Sequence, residues 1–224
     1  MERITENVRR IKEELKKGNP QGETVTLVAA TKMQTAEAIN VAIRAGVDAV
    51  AENKAQEFRD KNEFVDDCPR HFIGHLQTNK LKYIVGKVRL IHSCDRDDLA
   101  REIARLSLAK GIVSDVLVQV NVGDETSKGG YAYDETADAV ARLSTLQGLR
   151  VKGLMAMLPE SDDESLLRSL ARKMRVLYDS IRVNYPDFAY LSMGMSGDYK
   201  LCVEEGSNMI RIGSTIFGTR DYTK

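Results

Sequence analysis

The sequence predicts an α/β fold in which eight parallel β-strands close into a barrel of the triosephosphate-isomerase type, as a single domain spanning residues 1–224. Short β-like segments alternate with amphipathic helical segments along the chain. Such alternation indicates parallel strands joined by right-handed crossovers. Eight such units can be counted, which is the number that closes this type of barrel. The same alternation also permits an open, doubly wound sheet, which is the alternative architecture.

The N-terminal segment predicts a helix, since apolar residues recur there at helical spacing. They are Ile4, Val8, Ile11 and Leu15, with charged residues between them. This pattern differs from the continuous apolar core of a signal peptide. We therefore expect the barrel domain to begin with an N-terminal helix rather than with a targeting segment.

Apolar and β-branched segments predict the eight strands, and amphipathic segments between them predict the helices. The strands are expected at Val25–Thr31, Ala49–Ala51, His71–Ile73, Val88–His92, Asp115–Asn121, Val151–Met157, Ala189–Ser192 and Met209–Ile212. The helices are expected at Ala36–Ala45, Arg96–Lys110, Asp134–Leu146 and Asp162–Asn184, with shorter helical stretches near Gln56, Gln77 and Gly197. Asp95 is a candidate N-cap, and Gly46 and Gly111 follow the last turns of their helices.

The charge balance argues against a large charged partner. The 33 basic and 33 acidic residues cancel without forming long blocks of one sign, so neither nucleic acid nor a membrane surface is predicted as a partner. No apolar run approaches the ~20 residues that span a bilayer. Cys68, Cys94 and Cys202 are too few and too scattered for a disulfide framework, which is typical of a reducing compartment. We expect a cytoplasmic monomer.

Lys32 ends the first predicted strand, TVTLVAATK, whose continuous apolar run is typical of a strand buried on both faces. Loss of hydration at such a position disfavours the ammonium form and lowers the pKa of a lysine toward the range of a nucleophilic amine. Schiff-base formation is the natural use of that amine. The alternative is a lysine that simply extends its charged end into water.

Two glycine- and hydroxyl-rich segments follow the last two strands, where functional groups of such folds are expected. They are LSMGMSG (Leu191–Gly197) and RIGST (Arg211–Thr215). Backbone N–H groups at such strand-to-helix turns bind phosphate. We select Ser196, Gly213 and Ser214 as phosphate ligands. The alternative is that these residues only form tight turns.

Arg211 alternates with Ile210 and Ile212 in the final strand, so its side chain is expected to point into the barrel near the upper rim. A buried guanidinium group needs a partner. Its partner is either the ring nitrogen of a ligand or a carboxylate from a neighbouring strand.

Three further features have candidate roles. His71 and His75 lie four residues apart in a predicted strand and are therefore ~13 Å apart, which is too far for a shared zinc ion. No metal site is predicted. Asn53 either caps a helix or binds a ligand from the rim. The loop Gly123–Gly130 is expected to be a turn with Lys128 in solvent.

Eight sequence segments together resemble the pyridoxal 5′-phosphate (PLP) homeostasis proteins over nearly the whole chain. They are VTLVAATK, AENKAQE, HFIGHLQTNK, IHSCDR, LVQVNVGDETSKGG, GLMAM, LSMGMSGDY and MIRIGSTIFGTRDY. The fold of that family is the barrel domain of alanine racemase without its second domain. The resemblance implies an internal aldimine between PLP and Lys32, a phosphate site at Ser196, Gly213 and Ser214, Arg211 facing the pyridine nitrogen, and Asn53 lining the pocket.

The sequence departs from the family pattern at three positions. Gln34 and Thr35 replace a second lysine and a proline that commonly follow the aldimine lysine, and His75 stands where the family has proline. The aldimine lysine itself is retained. A cofactor-transfer role for a second lysine at position 34 is therefore not expected here.

The resemblance implies a PLP carrier that buffers the cofactor or delivers it to cofactor-requiring apo-enzymes, thereby affecting amino-acid and keto-acid metabolism. An amino-acid racemase of the alanine racemase type is the first alternative, and a Schiff-base aldolase acting on a sugar phosphate is the second. In the racemases that this sequence resembles, a tyrosine from the second domain of a partner subunit acts on the opposite face of the substrate. We expect the barrel to take up all 224 residues and to leave none for such a domain. We expect at most weak turnover, with His75 or Tyr199 as the rim group that could supply a second base.

Overall fold

In the computed structural model, which describes residues 1–125 and 128–218, the chain forms nine strands and eight α-helices. The strands are β1 (Thr26–Ala30), β2 (Ala49–Glu52), β3 (Arg70–Phe72), β4 (Leu90–Cys94), β5 (Ser114–Asn121), β6 (Tyr131–Ala132), β7 (Leu149–Ala156), β8 (Tyr190–Ser192) and β9 (Met209–Ile212). The helices are α1 (Glu2–Leu15), α2 (Ala36–Ala45), α3 (Ala55–Lys61), α4 (Asp97–Ala109), α5 (Thr136–Ser144), α6 (Glu164–Arg182), α7 (Tyr199–Glu204) and α8 (Ser214–Phe217). Short 3-10 helices cover Asn62–Phe64, Thr78–Tyr83 and Tyr133–Glu135.

Eight of the strands close into a parallel barrel in the order β1-β2-β3-β4-β5-β7-β8-β9. The ring is completed because β9 pairs with β1 and β4 pairs with β5. The predicted barrel is therefore confirmed, and the open sheet is excluded. The ends of the eight predicted strands differ from the observed ends by at most two residues. Strand β6 was not predicted, because a two-residue strand has too few residues to show a period.

Alternation along each strand separates a barrel interior from an outer layer that packs against the helices. In β9, Ile210 and Ile212 belong to the outer core, whereas Met209 packs with interior residues such as Val28. Since side chains alternate, Arg211 shares the interior face with Met209. The sequence-based orientation of Arg211 is therefore confirmed.

Among the helices of the described residues, α2 and α6 begin with a side-chain N-cap, and α4, for which one was predicted, does not. Thr35 accepts a hydrogen bond from the backbone N–H of Ala38 at 3.3 Å, and Gly46 ends α2 at a positive φ of 106°. The prediction for Asp95 was wrong: the N-cap of α4 is Arg96 and it makes no side-chain capping bond. Asp95 instead accepts a hydrogen bond from Arg96 at 2.6 Å.

Helix α6 is the longest, with 19 residues, and is amphipathic. It buries residues such as Leu167, Ala171 and Met174 against the barrel, and its other faces carry charged side chains. Across residues 1–125 and 128–218, no helix combines the length and the apolar character needed to cross a bilayer.

A β-bulge at Gly153 sets the register of β7 between its two neighbours. Val116 of β5 pairs with Val151, but the next residue, Leu117, pairs with Gly153, so Lys152 is the extra residue. Gly153 has a φ of 152°, and a Cβ atom at this position would lie 1.8 Å from the carbonyl oxygen of Tyr190 in β8. Only glycine fits this close approach of two strands.

We predict that Gly153→Ala lowers the free energy of unfolding by at least about 3 kcal/mol, because backbone atoms of β8 must move to admit the methyl group. Gly46→Ala is the matched control: Gly46 also has a positive φ, but a Cβ there would meet no atom within 4 Å. The control should lose only about 1 kcal/mol. If urea denaturation shows the same loss of unfolding free energy in both variants, the contact with β8 does not constrain the barrel.

Candidate functional site

An open cavity of about 580 Å³ lies at the carboxyl ends of the barrel strands. Its walls come from the ends of β1, β2, β3, β7, β8 and β9 and from the loops that follow them. The lining residues are Ala30, Lys32, Asn53, Ile73, Met157, Met195, Ser196, Gly197, Arg211, Gly213 and Ser214. All six residues selected from the sequence therefore line the same cavity.

Lys32 lies in a tight turn directly after β1. The backbone N–H of Gln34 donates to the carbonyl of Thr31 at 3.0 Å, which closes the turn around Lys32 and Met33. Met33 has a φ of 62°, in the left-handed region that side-chain-bearing residues seldom adopt. Its N–H donates to Glu57 Oε2 at 2.8 Å. The turn directs the partly buried side chain of Lys32 to the cavity.

The loops after β8 and β9 form a cluster of hydrogen-bond donors. Ser196 Oγ accepts the backbone N–H groups of Gly213, at 3.2 Å, and of Thr215, at 3.3 Å. The backbone N–H groups of Gly197 and Ser214 find no acceptor among the described residues. Free donors of this kind suit an anion such as a phosphate group. Helix α8 has only four residues, so the loop amides and hydroxyls, rather than a helix dipole, would supply the attraction.

The position of Asn53 depends on Gly74. A Cβ atom on Gly74 would lie 2.0 Å from the carbonyl oxygen of Asn53. The loops after β2 and β3 therefore touch backbone to backbone. This close contact places Asn53 on the cavity wall, as a pocket residue rather than a helix cap, because the N-cap of α3 is Lys54.

Arg211 is a buried cation whose side chain is held by strand ends. Its Nη1 donates to Ser192 O at 2.8 Å and to Ser192 Oγ at 2.6 Å, and its Nη2 donates to Ala156 O at 2.9 Å. Its hydrogen-bond partners among the described residues are Ser192 and Ala156 and include no carboxylate, so the carboxylate alternative does not apply. Burial lowers the pKa of Arg211 to about 10, and the group remains a cation at neutral pH.

A chain of hydrogen bonds continues from Arg211 into the barrel interior. Ser192 Oγ lies 3.1 Å from His92 Nδ1, and His92 Nε2 lies 3.0 Å from His71 Nδ1. A guanidinium group only donates, so the Ser192 hydroxyl accepts from Arg211 and has its own hydrogen left to donate. In the arrangement in which Ser192 donates to His92 Nδ1, His92 carries its hydrogen on Nε2 and donates to His71 Nδ1. These hydrogen bonds connect the cation to both imidazoles.

Burial keeps both histidines neutral. It lowers the pKa of His71 to about 4, with a smaller contribution from the charge of Arg89, and it holds the pKa of His92 well below its usual value. Neither histidine was selected from the sequence as a site residue. Their inward direction could be read from strand alternation, but their pairing depends on the register of β3 against β4.

Two other sequence-based expectations concern Lys128 and Tyr199. Lys128 is not free in solvent, because its Nζ donates to Glu125 Oε1 at 2.6 Å and to Leu158 O at 3.0 Å. Tyr199 is buried and donates to Glu14 of α1 at 2.7 Å, on the outer side of the barrel. Burial, and to a smaller extent the hydrogen bond to Glu14, raises the pKa of Tyr199 to about 12. It is therefore not a rim base.

The two histidines of the HFIGH segment have separate partners. His71 is bonded to His92 in the interior, whereas the exposed His75 lies 3.2 Å from Asp95 Oδ2. Within residues 1–125 and 128–218, no group of three or more His, Cys, Asp or Glu side chains is arranged to hold a metal ion. Residues 126–127 of the Gly123–Gly130 loop and residues 219–224, of which 219–222 end the last matched motif, lie outside the described residues.

The cavity thus combines an amine, a buried cation and a set of free amide donors. An amine can bond covalently to an aldehyde. The cation can donate to an aromatic ring nitrogen, and the amide donors can hold a phosphate group. The residues present therefore fit a phosphorylated heteroaromatic aldehyde.

Comparison with known proteins identifies relatives over nearly the whole chain. Residues 1–221 match the family described as the alanine racemase N-terminal domain. A pyridoxal phosphate homeostasis protein from Aquifex aeolicus is 38% identical over 224 residues, covering 99% of this chain and 98% of that protein. The structure of PipY from Synechococcus elongatus PCC7942 with PLP bound has a TM-score of 0.83 at 29% identity, covering 96% of this chain and 100% of that one.

Alanine racemase from Clostridium difficile 630 is a more distant structural neighbour. Its TM-score is 0.81 at 15% identity, and the similarity covers 100% of this chain but 58% of that one. At this level of identity the similarity shows a shared fold only.

We predict that stability falls as the pH decreases below 6.5, because His71 and His92 stay neutral in the fold but accept protons when unfolded. The folded pKa of His71 is about 4, so its contribution is complete above pH 6.5 and is lost progressively toward pH 4. Between pH 6 and pH 5 each histidine should remove roughly 1 kcal/mol of unfolding free energy.

His71→Gln keeps an acceptor for His92 but cannot be protonated. We therefore expect the unfolding free energy, measured by urea denaturation, to depend less steeply on pH, with a slope that corresponds to about one proton fewer. His75→Gln is the matched control, since His75 has a side chain 66% exposed. An unchanged slope in His71→Gln would contradict the neutral buried pair.

Proposed function

Since this chain belongs to the pyridoxal phosphate homeostasis family, we propose that it binds PLP in the cavity at the strand ends. It buffers or delivers the cofactor and has no substantial catalytic turnover of its own. The family resemblance seen in the sequence motifs is confirmed by the curated relative that is 38% identical. The relative PipY, whose structure contains PLP, supports the choice of cofactor.

The observation that carries the proposal is Arg211, a buried cation at the cavity wall without a carboxylate partner among the described residues. Burying a charge without a counter-charge costs stability. A buried charge that is retained at a cavity despite this cost is a candidate functional group. The described residues accept hydrogen bonds only from the Nη atoms of Arg211, so its Nε–H is left to donate to an acceptor such as a pyridine nitrogen.

We assign a role to each cavity residue. When bound, PLP supplies an aldehyde that forms a Schiff base with an amine. Lys32 provides that amine from the turn after β1. Ser196, Gly213 and Ser214 hold the phosphate through hydroxyl and backbone donors, Arg211 donates to the ring nitrogen, and Asn53 contacts the cofactor from the loop after β2.

The cavity is poorly equipped for racemisation. Among the described residues that line it, Lys32 and Arg211 alone are ionisable, whereas exchange of a proton on both faces of a carbon needs an acid or base on each. Arginine keeps its own proton, so a ring nitrogen that faces it stays unprotonated and stabilises a carbanion weakly. The same residues that hold the cofactor therefore limit its use in catalysis.

We further propose that the protein is a cytoplasmic monomer and delivers the cofactor to apo-enzymes that require it. Residues 1–224 would form one cofactor-binding domain. The three cysteines are free, with Cys94 and Cys202 buried, as suits a reducing compartment. The open cavity allows PLP to enter and leave without a domain movement.

We predict that Lys32→Ala abolishes covalent attachment of PLP and leaves the fold intact, because Lys32 follows β1 and lies outside the core. The visible absorbance band should be lost, and no peptide should be labelled after borohydride reduction. Weaker binding through the phosphate donors should persist.

Two variants serve as controls for this test. Lys54→Ala removes a neighbouring exposed lysine and should retain full labelling at Lys32. Ser196→Ala should keep the covalent bond but weaken PLP affinity about tenfold or more, since it removes a donor to a charged group. A borohydride-trapped adduct of wild-type yield in Lys32→Ala would refute the assigned lysine.

We predict that the purified protein loaded with PLP shows little or no racemisation of alanine or other common amino acids. Exchange of the α-proton with deuterated water, followed by NMR, is the direct measurement. Lys32→Ala prepared in the same way is the control for contaminating racemase. Robust exchange that disappears in Lys32→Ala would favour the racemase function over the carrier function.

A further inference from the structure

We propose that Lys61, acting together with Glu57, is a positioning residue that locks the turn carrying Lys32 and thereby sets the reactivity of its amine. This inference rests on the proposed function in one respect, namely that Lys32 is the residue that bonds to the cofactor. Lys61 is the last residue of α3 and lies outside the cavity lining.

The ammonium group of Lys61 bridges both ends of the turn. Its Nζ donates to the carbonyl of Thr31 at 3.3 Å and to the carbonyl of Gln34 at 3.1 Å. These two carbonyls flank Lys32 and Met33 along the chain. A single side chain therefore holds the entry and the exit of the turn at a fixed separation.

Two carboxylates hold Lys61 in this position. Lys61 Nζ lies 2.7 Å from Glu52 Oε1 and 3.1 Å from Glu57 Oε2. The side chains of Lys61 and Glu52 are only 19% and 8% exposed, so water screens this pair less than a surface ion pair. Thr31 Oγ1 also donates to Glu52 Oε1, at 2.6 Å. The turn is thereby fastened to the end of β2 and to α3.

The turn needs such support because Met33 is strained. Its φ of 62° lies in the left-handed region, which is unfavourable for a residue with a side chain. Glu57 Oε2 accepts both the N–H of Met33 and a hydrogen from Lys61. Strained conformations of this kind persist where surrounding contacts determine them. Without Lys61 the turn loses both carbonyl contacts and can relax, which changes the direction of Lys32.

The two bonds to the turn carbonyls distinguish positioning from general stabilisation. The ammonium group has three hydrogens and four neighbouring acceptors, which are two carboxylate oxygens and two backbone carbonyls. The two carbonyls lie on either side of the reactive residue. A change at Lys61 should therefore alter the rate at which Lys32 reacts more than it alters the stability of the barrel.

The test measures the rate of Schiff-base formation in cofactor-free protein by stopped-flow absorbance. The reaction joins Lys32 Nζ to the aldehyde carbon and releases the carbonyl oxygen as water, with no change of oxidation state. Two aldehydes are used, PLP and phosphate-free pyridoxal. We expect Lys61→Met to react about tenfold more slowly with both, since a displacement of about 1 Å can cost up to about 100-fold in rate.

Comparison of the two aldehydes distinguishes a displaced turn from a defective phosphate site. A defect in the phosphate donors, as in Ser196→Ala, slows PLP but leaves pyridoxal unchanged, whereas a displaced amine slows both equally. Amide hydrogen exchange of the Thr31–Gln34 turn in the cofactor-free protein is a second readout and should become faster in Lys61→Met. Lys61→Arg retains the charge and donors, and should recover part of the rate.

Lys54→Met is the matched control. Lys54 is on the same helix, is 59% exposed on its side chain and approaches Glu57 only to 3.8 Å, so its removal should leave the rate unchanged. If Lys61→Met does not fold, Glu57→Gln is measured instead and should slow both aldehydes. Wild-type rates and wild-type exchange in a folded Lys61→Met or Glu57→Gln would overturn the positioning role.

Failure of the proposed function gives a different result. If the wild-type protein is labelled at another residue, or if Lys32→Ala reacts as fast as the wild type, the assignment of Lys32 is wrong whatever Lys61 does. If labelling is at Lys32 and only the Lys61 variants match the wild type, the site is correct and the positioning role is refuted.

Discussion

The buried cation Arg211 is the constraint on which the arrangement of this barrel depends. It is paired with no carboxylate of the described residues, and its Nη atoms donate instead to the ends of β7 and β8. Those strand ends must therefore lie close to β9 at the height of the cavity, which the register of the barrel provides. Below the cation, Ser192 starts a chain of hydrogen bonds that continues through two histidines. Above it lies the cavity.

Sequence reasoning recovered the features that depend on local pattern. The eight barrel strands, the inward direction of Arg211 and the clustering of Lys32 with the glycine-rich loops follow from strand alternation and from the rule that functional groups lie at the carboxyl ends of parallel strands. The cofactor came from the specific combination of motifs. These steps need no knowledge of which side chains meet across the barrel.

The features that were missed depend on contacts between distant parts of the chain. Ser192 and His92 meet although they are 100 positions apart, and the partners of Arg211 are backbone carbonyls, which have no sequence signature. Lys128 was expected in solvent because a short loop gives no indication of the carbonyl of Leu158, to which it donates. Asp95 is a different case, because its carboxylate accepts a hydrogen bond from the adjacent Arg96. For the other residues the outcome was decided by tertiary geometry rather than by local propensity.

The open mouth of the cavity has a consequence for how long a cofactor molecule stays. An enzyme that shields a reactive intermediate commonly closes a loop over it, and the opening of that loop then limits release. Here the binding surface is built from strand ends and short turns and is open to solvent. Under the proposed function, release of the cofactor would be limited by hydrolysis of its carbon–nitrogen bond to Lys32 rather than by the opening of a loop. A reservoir of this kind would respond directly to mass action, taking up the free aldehyde when it is abundant and returning it when it is scarce.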